Sequence, residues 1–367
     1  MISFVMTGIL IPQILLIAFR KRLFDVPDER KIHHMAVPRL GGIAFIPVLI
    51  FSFMLVLGLD LVSGHSEVIH VFGRSVVQLT FSLCALILLF LVGVADDLIG
   101  VRYRAKFFFQ IVCGALLVVS GLSINNLHGL LGIHEVSPTL GALLTVVVVV
   151  FITNAINLID GLDGLASGLS AVGLAFYGVI FYYFGYYPYA LIAFGMLGVV
   201  VPFFGYNVFG RAEKSQKIFM GDTGSLTLGL VLSMLAIKLI STKPMWGLYN
   251  TNPAILSVAP LLIPCLDVIR VFFHRIINGN NPFLPDKSHI HHKLMQLGLS
   301  PHWAMITIIS TALLIGSIDI LVSPYVEVTL LSFLNLLLYI IINYCLSFYY
   351  RYLVKKGRII PEKGKKQ

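Results

Sequence analysis

The sequence has few charged residues: they make up 12% of its 367 positions, whereas 58% are hydrophobic. A soluble domain needs a polar surface, so a mean hydropathy of +0.93 excludes an ordinary soluble protein of this size. We therefore expect a protein that crosses a membrane several times.

Cysteine is also scarce, and the four cysteines form no C-x-x-C pair: Cys84, Cys113, Cys265 and Cys345. All four lie inside apolar runs. This distribution favours small core residues over disulfides or metal ligands.

Long apolar runs dominate what is present. A helix needs about 20 residues to span a bilayer, and eleven runs approach that length. They are Ile2–Phe19, Gly42–Leu59, Val76–Ala95, Phe107–Leu122, Leu140–Ile156, Leu165–Phe184, Tyr189–Tyr206, Ser225–Ile240, Ile255–Phe273, Met305–Val322 and Val328–Phe348. Because several are short, the sequence predicts an all-α polytopic bundle of ten or eleven transmembrane helices. Residues 1–350 form one predicted integral domain, and 351–367 form a basic tail.

Basic residues are nearly absent from one set of loops. When the apolar runs are placed alternately up and down through a membrane, the loops fall on two sides. Of the 26 Lys and Arg residues, only Arg74, Lys238 and Lys243 lie on the same side as the N-terminus. Cytoplasmic loops carry the excess of positive charge, so we expect the N-terminus outside and the C-terminus in the cytoplasm. The net charge of +9 then reflects topology and a tail near anionic headgroups, and does not indicate nucleic-acid binding.

Five aspartates stand at the ends of apolar runs on the predicted cytoplasmic side: Asp96, Asp97, Asp160, Asp163 and Asp222. An ionisable group at a membrane boundary is costly unless it is paired, so convergent carboxylates predict a functional site. Adjacent carboxylates such as Asp96 and Asp97 repel each other unless a proton or a metal ion lies between them. A solvated pair beside basic residues is the alternative for this dipeptide.

Two segments suit a phosphorylated nucleotide. The loop with Asn157 and two Asp-Gly pairs, at Asp160 and Asp163, can turn sharply and hydrogen-bond a base or ribose. The Gly221-Asp222 segment predicts a helix N-terminus, whose amides and dipole suit phosphate, with Asp222 holding Mg²⁺. Plain helix caps are the alternative for both segments.

The longest inner loop carries three histidines, at positions 289, 291 and 292. No Cys or Glu completes a usual zinc site there, so we expect donors to a diphosphate, with a solvated basic loop as the alternative. Asp267 and Arg270 are predicted to pair across a helical turn, and Arg275 to point at an anion. In the first inner loop, Lys31 and the Pro-Arg-Leu-Gly-Gly segment either mark topology or approach a lipid phosphate.

Carboxylates and cations on one face are best explained by phosphate binding through Mg²⁺, which predicts a membrane phosphotransferase acting on a lipid. The rival from another class is a transporter or flippase of a phosphorylated solute. That rival predicts charges near mid-membrane and often an inverted repeat, whereas these charges cluster at one interface.

Four motifs together, Asp-Asp, Asn-x-x-Asp-Gly-x-Asp-Gly, Met-Gly-Asp-x-Gly-Ser and His-x-His-His, resemble those of the polyprenyl-phosphate N-acetylhexosamine-1-phosphate transferases. The resemblance runs from about Asp25 to His292. It implies transfer of a sugar-1-phosphate from a UDP-sugar to undecaprenyl phosphate, with release of UMP and Mg²⁺ or Mn²⁺ as cofactor. It also implies a bacterial inner-membrane location with a cytoplasmic active site, and leaves open whether the chain forms a homodimer.

The resemblance assigns a role to each motif. Asp222 would be the principal metal ligand, and Asp96 and Asp97 would orient or deprotonate the lipid phosphate, which Lys31 and Lys106 would bind. The expected nucleotide-sugar site comprises Asn157, Asp160, Asp163, Arg275, His289, His291 and His292. Direct attack and an aspartyl-phosphate intermediate both stay open.

The histidine run helps to choose a branch of the family. His-Ile-His-His after Pro-Phe-Leu-Pro-Asp resembles the GlcNAc-1-phosphate branch, whereas the peptidoglycan translocase carries three consecutive histidines. UDP-MurNAc-pentapeptide and UDP-6-deoxy-N-acetylhexosamines are the alternative donors.

Overall fold

The computed structural model describes residues 1–23, 37–64, 66–242, 251–279 and 288–358. Lys31 and most of the first inner loop lie outside these ranges. Within them the chain is mostly helical. The α-helices are α1 (Ile2–Lys21), α2 (Phe45–Val62), α3 (Ser66–Ile99), α4 (Tyr103–Val119), α5 (Pro138–Ile159), α6 (Leu165–Tyr183), α7 (Tyr187–Phe209), α8 (Gly221–Ile240), α9 (Pro253–Val258), α10 (Leu262–Ile277), α11 (Ile290–Gln296), α12 (Pro301–Val322) and α13 (Val328–Lys355).

Ten spans in the described ranges are long and apolar enough to cross a membrane, so the predicted multi-pass helical bundle is confirmed. One of them, Pro253–Ile277, is a broken helix. Its two halves, α9 and α10, are joined by one 3₁₀ turn at Ala259–Leu261 that contains Pro260. Proline removes a helical hydrogen bond and clashes with the preceding turn, which explains the break.

Helix α4 corresponds to the predicted run Phe107–Leu122 and is not among these ten spans. Its 17 residues extend about 25 Å, close to the roughly 30 Å of a hydrocarbon core. It runs antiparallel to α5, since the Gln110 and Asn154 amides pair near one end and Gly114 packs on Val146 further along. The chain therefore returns along α4 before it enters α5.

Helix α8 is the centre of the bundle. Of its most apolar stretch, 94% is buried by other helices, mainly α3 and α5. Glycines allow this close approach: a Cβ on Gly93 would lie 2.5 Å from the Thr223 Cα, and one on Gly229 would lie 2.7 Å from the Thr153 Cα. We call the end of the bundle where α3 and α5 end and α8 begins the site end, and the opposite end the distal end.

The distal end carries one element that the sequence did not indicate, a β-hairpin of β1 (Asn126–Leu130) and β2 (Ile133–Glu135). It joins α4 to α5. His128 and Leu131 adopt positive φ here, which is uncommon for residues other than glycine.

The packing of α8 on α5 generates a stability prediction. We expect Gly229→Ala to lower the unfolding free energy by about 1–3 kcal/mol, because the new methyl group meets the backbone of Thr153. Thermal unfolding in detergent measures the change. Gly58→Ala in α2 is the matched control, since no atom lies within 4 Å of its Cβ position. Equal midpoints for the two variants would contradict the close α5–α8 contact.

Candidate active site

Four helix ends meet at the site end and bring together residues that are far apart in sequence. Asp96 and Asp97 lie in the last turn of α3 and Asn157 in the last turn of α5. Lys106 lies in the first turn of α4 and Asp222 in the first turn of α8. We call these five residues the carboxylate centre.

Lys106 bridges two of the carboxylates. Its Nζ donates to Asp96 Oδ2 at 2.8 Å and to Asp222 Oδ2 at 3.3 Å. Asp96 and Asp222 therefore share the Lys106 ammonium. Two carboxylates this close need a cation or a proton between them, and the Lys106 ammonium supplies the cation here. The carboxylate centre is therefore built to hold positive charge.

Asp97 contacts the backbone of α8, unlike its neighbour Asp96. Its Oδ1 accepts from the backbone N–H of Asp222 at 2.7 Å, and its Oδ2 accepts from the Thr223 N–H at 2.9 Å and from the Thr223 hydroxyl. Asp97 therefore caps α8 from α3. The cap expected from residues of α8 itself is supplied by another helix.

Gly221 makes this cap possible. It has φ +74°, and a Cβ there would lie 2.5 Å from Asp97 Oδ2 and 2.2 Å from the Arg39 carbonyl oxygen. The Pro-Arg-Leu-Gly-Gly segment lies alongside, with Gly42 N–H donating to the Met220 carbonyl at 2.8 Å. A side chain at position 221 would push both the cap and this segment away.

Asn157 lies in the carboxylate centre beside Asp222. Its Nδ2 donates to Asp222 Oδ1 and, at 2.8 Å, to Ser225 Oγ. The sequence led us to expect Asn157 in a nucleotide-sugar site, and the structure places it against Asp222, the expected metal ligand.

The donor set fits a magnesium ion. No three His, Cys, Asp or Glu side chains of the described residues form a complete protein metal site. Mg²⁺ typically takes one or two carboxylates and completes its shell with substrate phosphates and water. Asp222, whose side chain is 32% exposed, and Asp96 present such oxygens. An Asn157 amide rotated by 180° would add a third.

The loop between α5 and α6 lies next to this centre. Burial raises the pKa of Asp160 well above its usual range, and the negative charges of Asp222 and Asp163 act in the same direction, against Arg39. Asp163 instead pairs with Lys217, whose Nζ lies 2.6 Å from Asp163 Oδ2. The sequence did not single out Lys217, which lies 54 residues away in the connection that precedes α8.

The histidine segment, residues 289–292, folds inward. His289 is 5% exposed and His291 is 1% exposed. The His291 ring stacks on the His289 ring and reaches Gly161 of the neighbouring loop, 3.0 Å from the position of a Cβ there. Burial, reinforced by the two neighbouring histidines, lowers the pKa of His291 to about 3, so its ring is neutral at physiological pH. His291 therefore contacts the Asp160 loop as a neutral group.

Asp267 holds this segment in place. The carboxylate is fully buried, and the predicted pair with Arg270 is confirmed, with Arg270 Nη2 2.8 Å from Asp267 Oδ1. His289 Nδ1 lies 2.8 Å from the other oxygen, and the Tyr339 hydroxyl donates at 2.9 Å. No pattern in the sequence indicated these two contacts, because His289 and Tyr339 lie 22 and 72 residues away from Asp267. Arg275, expected to point at an anion, is buried at the end of α10.

The sequence of this chain is similar to those of known proteins. The pattern that defines the family described as Glycosyl transferase family 4 matches residues 79–240, which contain the whole carboxylate centre. A probable undecaprenyl-phosphate N-acetylglucosaminyl 1-phosphate transferase of Bacillus subtilis is 32% identical over 84% of this chain and 79% of its own length. The chain belongs to glycosyl transferase family 4.

Two further relatives cover more of the chain. Undecaprenyl-phosphate alpha-N-acetylglucosaminyl 1-phosphate transferases of Yersinia pestis and Escherichia coli K12 are each 29% identical over 90% of this chain, and over 86% and 85% of their own lengths. The resemblance carried by the four motifs is thus confirmed. This glycosyl transferase family 4 protein is an enzyme of the polyprenyl-phosphate N-acetylhexosamine-1-phosphate transferase family.

The cap on α8 separates the roles of the two adjacent aspartates. We expect Asp97→Ala to lower the unfolding free energy by about 1–3 kcal/mol, because it leaves two amides and a hydroxyl of α8 without their acceptor. Asp96→Ala is the comparison, since it removes an acceptor of Lys106 and Val101 but none of α8. Thermal unfolding measures both, and a larger loss in Asp96→Ala would refute the capping role of Asp97.

The Asp267 contacts predict a local effect on the histidine segment. In Asp267→Ala we expect faster amide hydrogen exchange at residues 289–296, because His289 and the Ile290 N–H lose their acceptor. Asp319→Ala is the control: Asp319 is also buried, but it pairs with Asn335 at the distal end. Unchanged exchange at 289–296 in Asp267→Ala would show that another contact holds the segment.

Proposed function

We propose that this enzyme transfers N-acetylglucosamine 1-phosphate from UDP-N-acetylglucosamine to undecaprenyl phosphate, releases UMP and so starts a lipid-linked cell-envelope glycan. The observation that carries the proposal is the carboxylate centre, in which Lys106 joins Asp96 to Asp222 at the end of a membrane bundle. The activities for which the relatives are named support the donor and the acceptor.

Asp96 and Lys106 bind and orient the acceptor, the lipid phosphate. The lipid phosphate oxygen attacks the β-phosphorus of the donor, and Asp96 orients or deprotonates that phosphate. Lys106 already bridges two carboxylates, and its ammonium can exchange one of them for a phosphate oxygen without losing a charged partner. Asp97 acts on the reaction through α8, because its cap fixes where Asp222 points.

Asp222, with Asn157 and Asp96 beside it, would hold the metal ion. When bound, Mg²⁺ neutralises the charge on the donor diphosphate and on the leaving UMP. Asp222 is the best-placed ligand because its side chain is the most accessible to solvent of the two carboxylates that Lys106 bridges. Mn²⁺ prefers the same oxygen ligands.

The donor side falls to the Asp160 loop and the histidine segment that packs on it. The negative charges of Asp222 and Asp163 both act on Asp160, so the loop lies near the carboxylate centre, where it would bind the nucleotide-sugar. His291 contacts the loop at Gly161, so the two segments form one wall. Asp267, by holding His289, positions that wall.

The site end faces the cytoplasm in this proposal, in a bacterial inner membrane. The distribution of Lys and Arg supports this orientation, because only three of the 26 fall on the other side. A nucleotide-sugar donor is cytoplasmic, so the orientation agrees with the proposed chemistry.

The reaction is tested by UMP release from purified enzyme with undecaprenyl phosphate and Mg²⁺. We expect UMP with UDP-N-acetylglucosamine, loss of activity with EDTA and recovery on adding Mg²⁺ or Mn²⁺. UDP-MurNAc-pentapeptide and a UDP-6-deoxy-N-acetylhexosamine complete the donor panel, and a preference for either would replace the proposed donor. No UMP with any UDP-sugar would sink the transferase proposal and favour transport of a phosphorylated solute.

The metal assignment predicts a large effect of a small change. We expect Asp222→Asn to lower kcat by about 10³-fold or more, because a neutral amide cannot replace a carboxylate ligand in stabilising the transferred phosphate. Glu213→Gln is the control, an exposed acid at the same end of the bundle that contacts none of the carboxylate centre. Near-normal turnover in Asp222→Asn would remove Asp222 as the metal ligand.

A further inference from the structure

A basic pocket lies between α11 and α13, outside the carboxylate centre. Its volume is about 260 Å³. The lining is rich in hydrogen-bond donors and contains no carboxylate: Lys293, Gln296, Leu346, Ser347, Tyr350 and Arg351. Such a lining is suited to binding an anion. It is not suited to a cation, because no negatively charged side chain is there to pair with one.

Lys293 supplies a half-buried charge on one side of the pocket. Its Nζ donates to Asn343 Oδ1 and to Ser347 Oγ, both at 3.2 Å, which uses two of its three N–H bonds. Among the described residues it forms no ion pair. Burial and the nearby Arg270 lower the pKa of Lys293 to about 8, which still leaves it mostly charged at neutral pH. The third N–H of the Lys293 ammonium could therefore donate a hydrogen bond to an anion in the pocket.

Arg351 stands on the other side of the pocket, on α13. Its Nε lies 3.4 Å from the Ser347 carbonyl oxygen, and the residue is exposed. An exposed guanidinium can bind two phosphate oxygens at once in its planar fork. Lys293 and Arg351 therefore offer the point charge and the fork that phosphate recognition typically combines.

The position along α13 indicates where the anion comes from. The stretch of α13 that lines the pocket also carries exposed aromatic side chains: Tyr344, Phe348, Tyr349 and Tyr352. Such residues collect at the membrane–water interface, and Lys355, Lys356 and Arg358 follow directly. The pocket thus opens at the depth of lipid headgroups, where anionic lipids attract basic clusters.

We propose that this pocket binds the phosphate of an anionic phospholipid headgroup and thereby ties α11 to α13. The ligand bears on the active site because Lys293 immediately follows His292 in α11. The opposite side of the histidine segment contacts Asp267 and Gly161. A headgroup held by Lys293 and Arg351 stabilises the histidine segment from the side that faces away from the carboxylate centre.

The test measures binding of a fluorescent phosphatidylglycerol to the full-length protein in nanodiscs of phosphatidylcholine. We expect Lys293→Gln and Arg351→Gln each to weaken binding on the order of ten-fold or more, the loss of a charge-assisted hydrogen bond. Lys355→Gln, one turn along α13 and outside the lining, should weaken it by less than about five-fold, the effect of one charge near a membrane surface.

Three results would overturn the proposal. One is equal binding of labelled phosphatidylglycerol and phosphatidylcholine. Another is an equal loss in all three variants, which would show a general surface charge effect. The third is displacement of the labelled lipid by inorganic phosphate, which would make the pocket a site for free phosphate. None of these results depends on UMP release, so the proposed reaction and the lipid site stand or fall separately.

A second readout ties the pocket to the histidine segment. We expect slower amide hydrogen exchange at residues 289–296 in phosphatidylglycerol nanodiscs than in phosphatidylcholine nanodiscs, and no such difference in Arg351→Gln. Arg351 lies outside the carboxylate centre and the donor wall, so loss of the lipid effect in this variant is attributed to the pocket.

Discussion

The capping of α8 by Asp97 is the contact on which the site depends. The first amides of a helix have no partner within the helix, and α8 begins inside the bundle with little water to satisfy them. Asp97 supplies both of its oxygens to these groups from the end of α3. The same contact fixes α8 against α3, and so it sets where the Asp222 side chain, one residue into the helix, can point.

Asp222 then shares its environment with groups of both signs. Lys106 places positive charge between Asp222 and Asp96, and Asn157 donates to the remaining oxygen of Asp222. Because these partners come from α3, α4 and α5, the bundle needs all four helix ends in register to keep the charges paired. An enzyme that transfers a phosphoryl group through such a centre gains from rigidity, since the charges need not reorganise during the reaction.

The histidine segment is held in place by a different kind of contact, a fully buried carboxylate. Asp267 gathers donors from α10, α11 and α13, and the segment it holds leans on the Asp160 loop. A buried carboxylate that loses such partners is costly, so these contacts hold the start of α11, a helix of only seven residues, in place. The lipid pocket, if occupied as proposed, adds an anchor on the membrane side.

The sequence by itself determined that the protein is a membrane helical bundle and which aspartates belong to the carboxylate centre. Apolar runs set the spans, because a bilayer demands about 20 apolar residues whatever the fold, and the four motifs identified every aspartate of the carboxylate centre. It also paired Asp267 with Arg270, three residues apart on one helix face. These are local or compositional properties, and they can be read without knowing which helices touch.

Only the tertiary structure decided how those residues share the work. Asp96 and Asp97 are adjacent and chemically identical, yet one faces Lys106 and the other caps α8, because successive residues of a helix point about 100° apart toward different neighbours. Likewise Asn157 lies beside Asp222, Lys217 beside Asp163 and Tyr339 beside Asp267, each across a long sequence separation. Such pairings depend on how helices cross inside the membrane, and the pattern along one chain carries no record of that crossing.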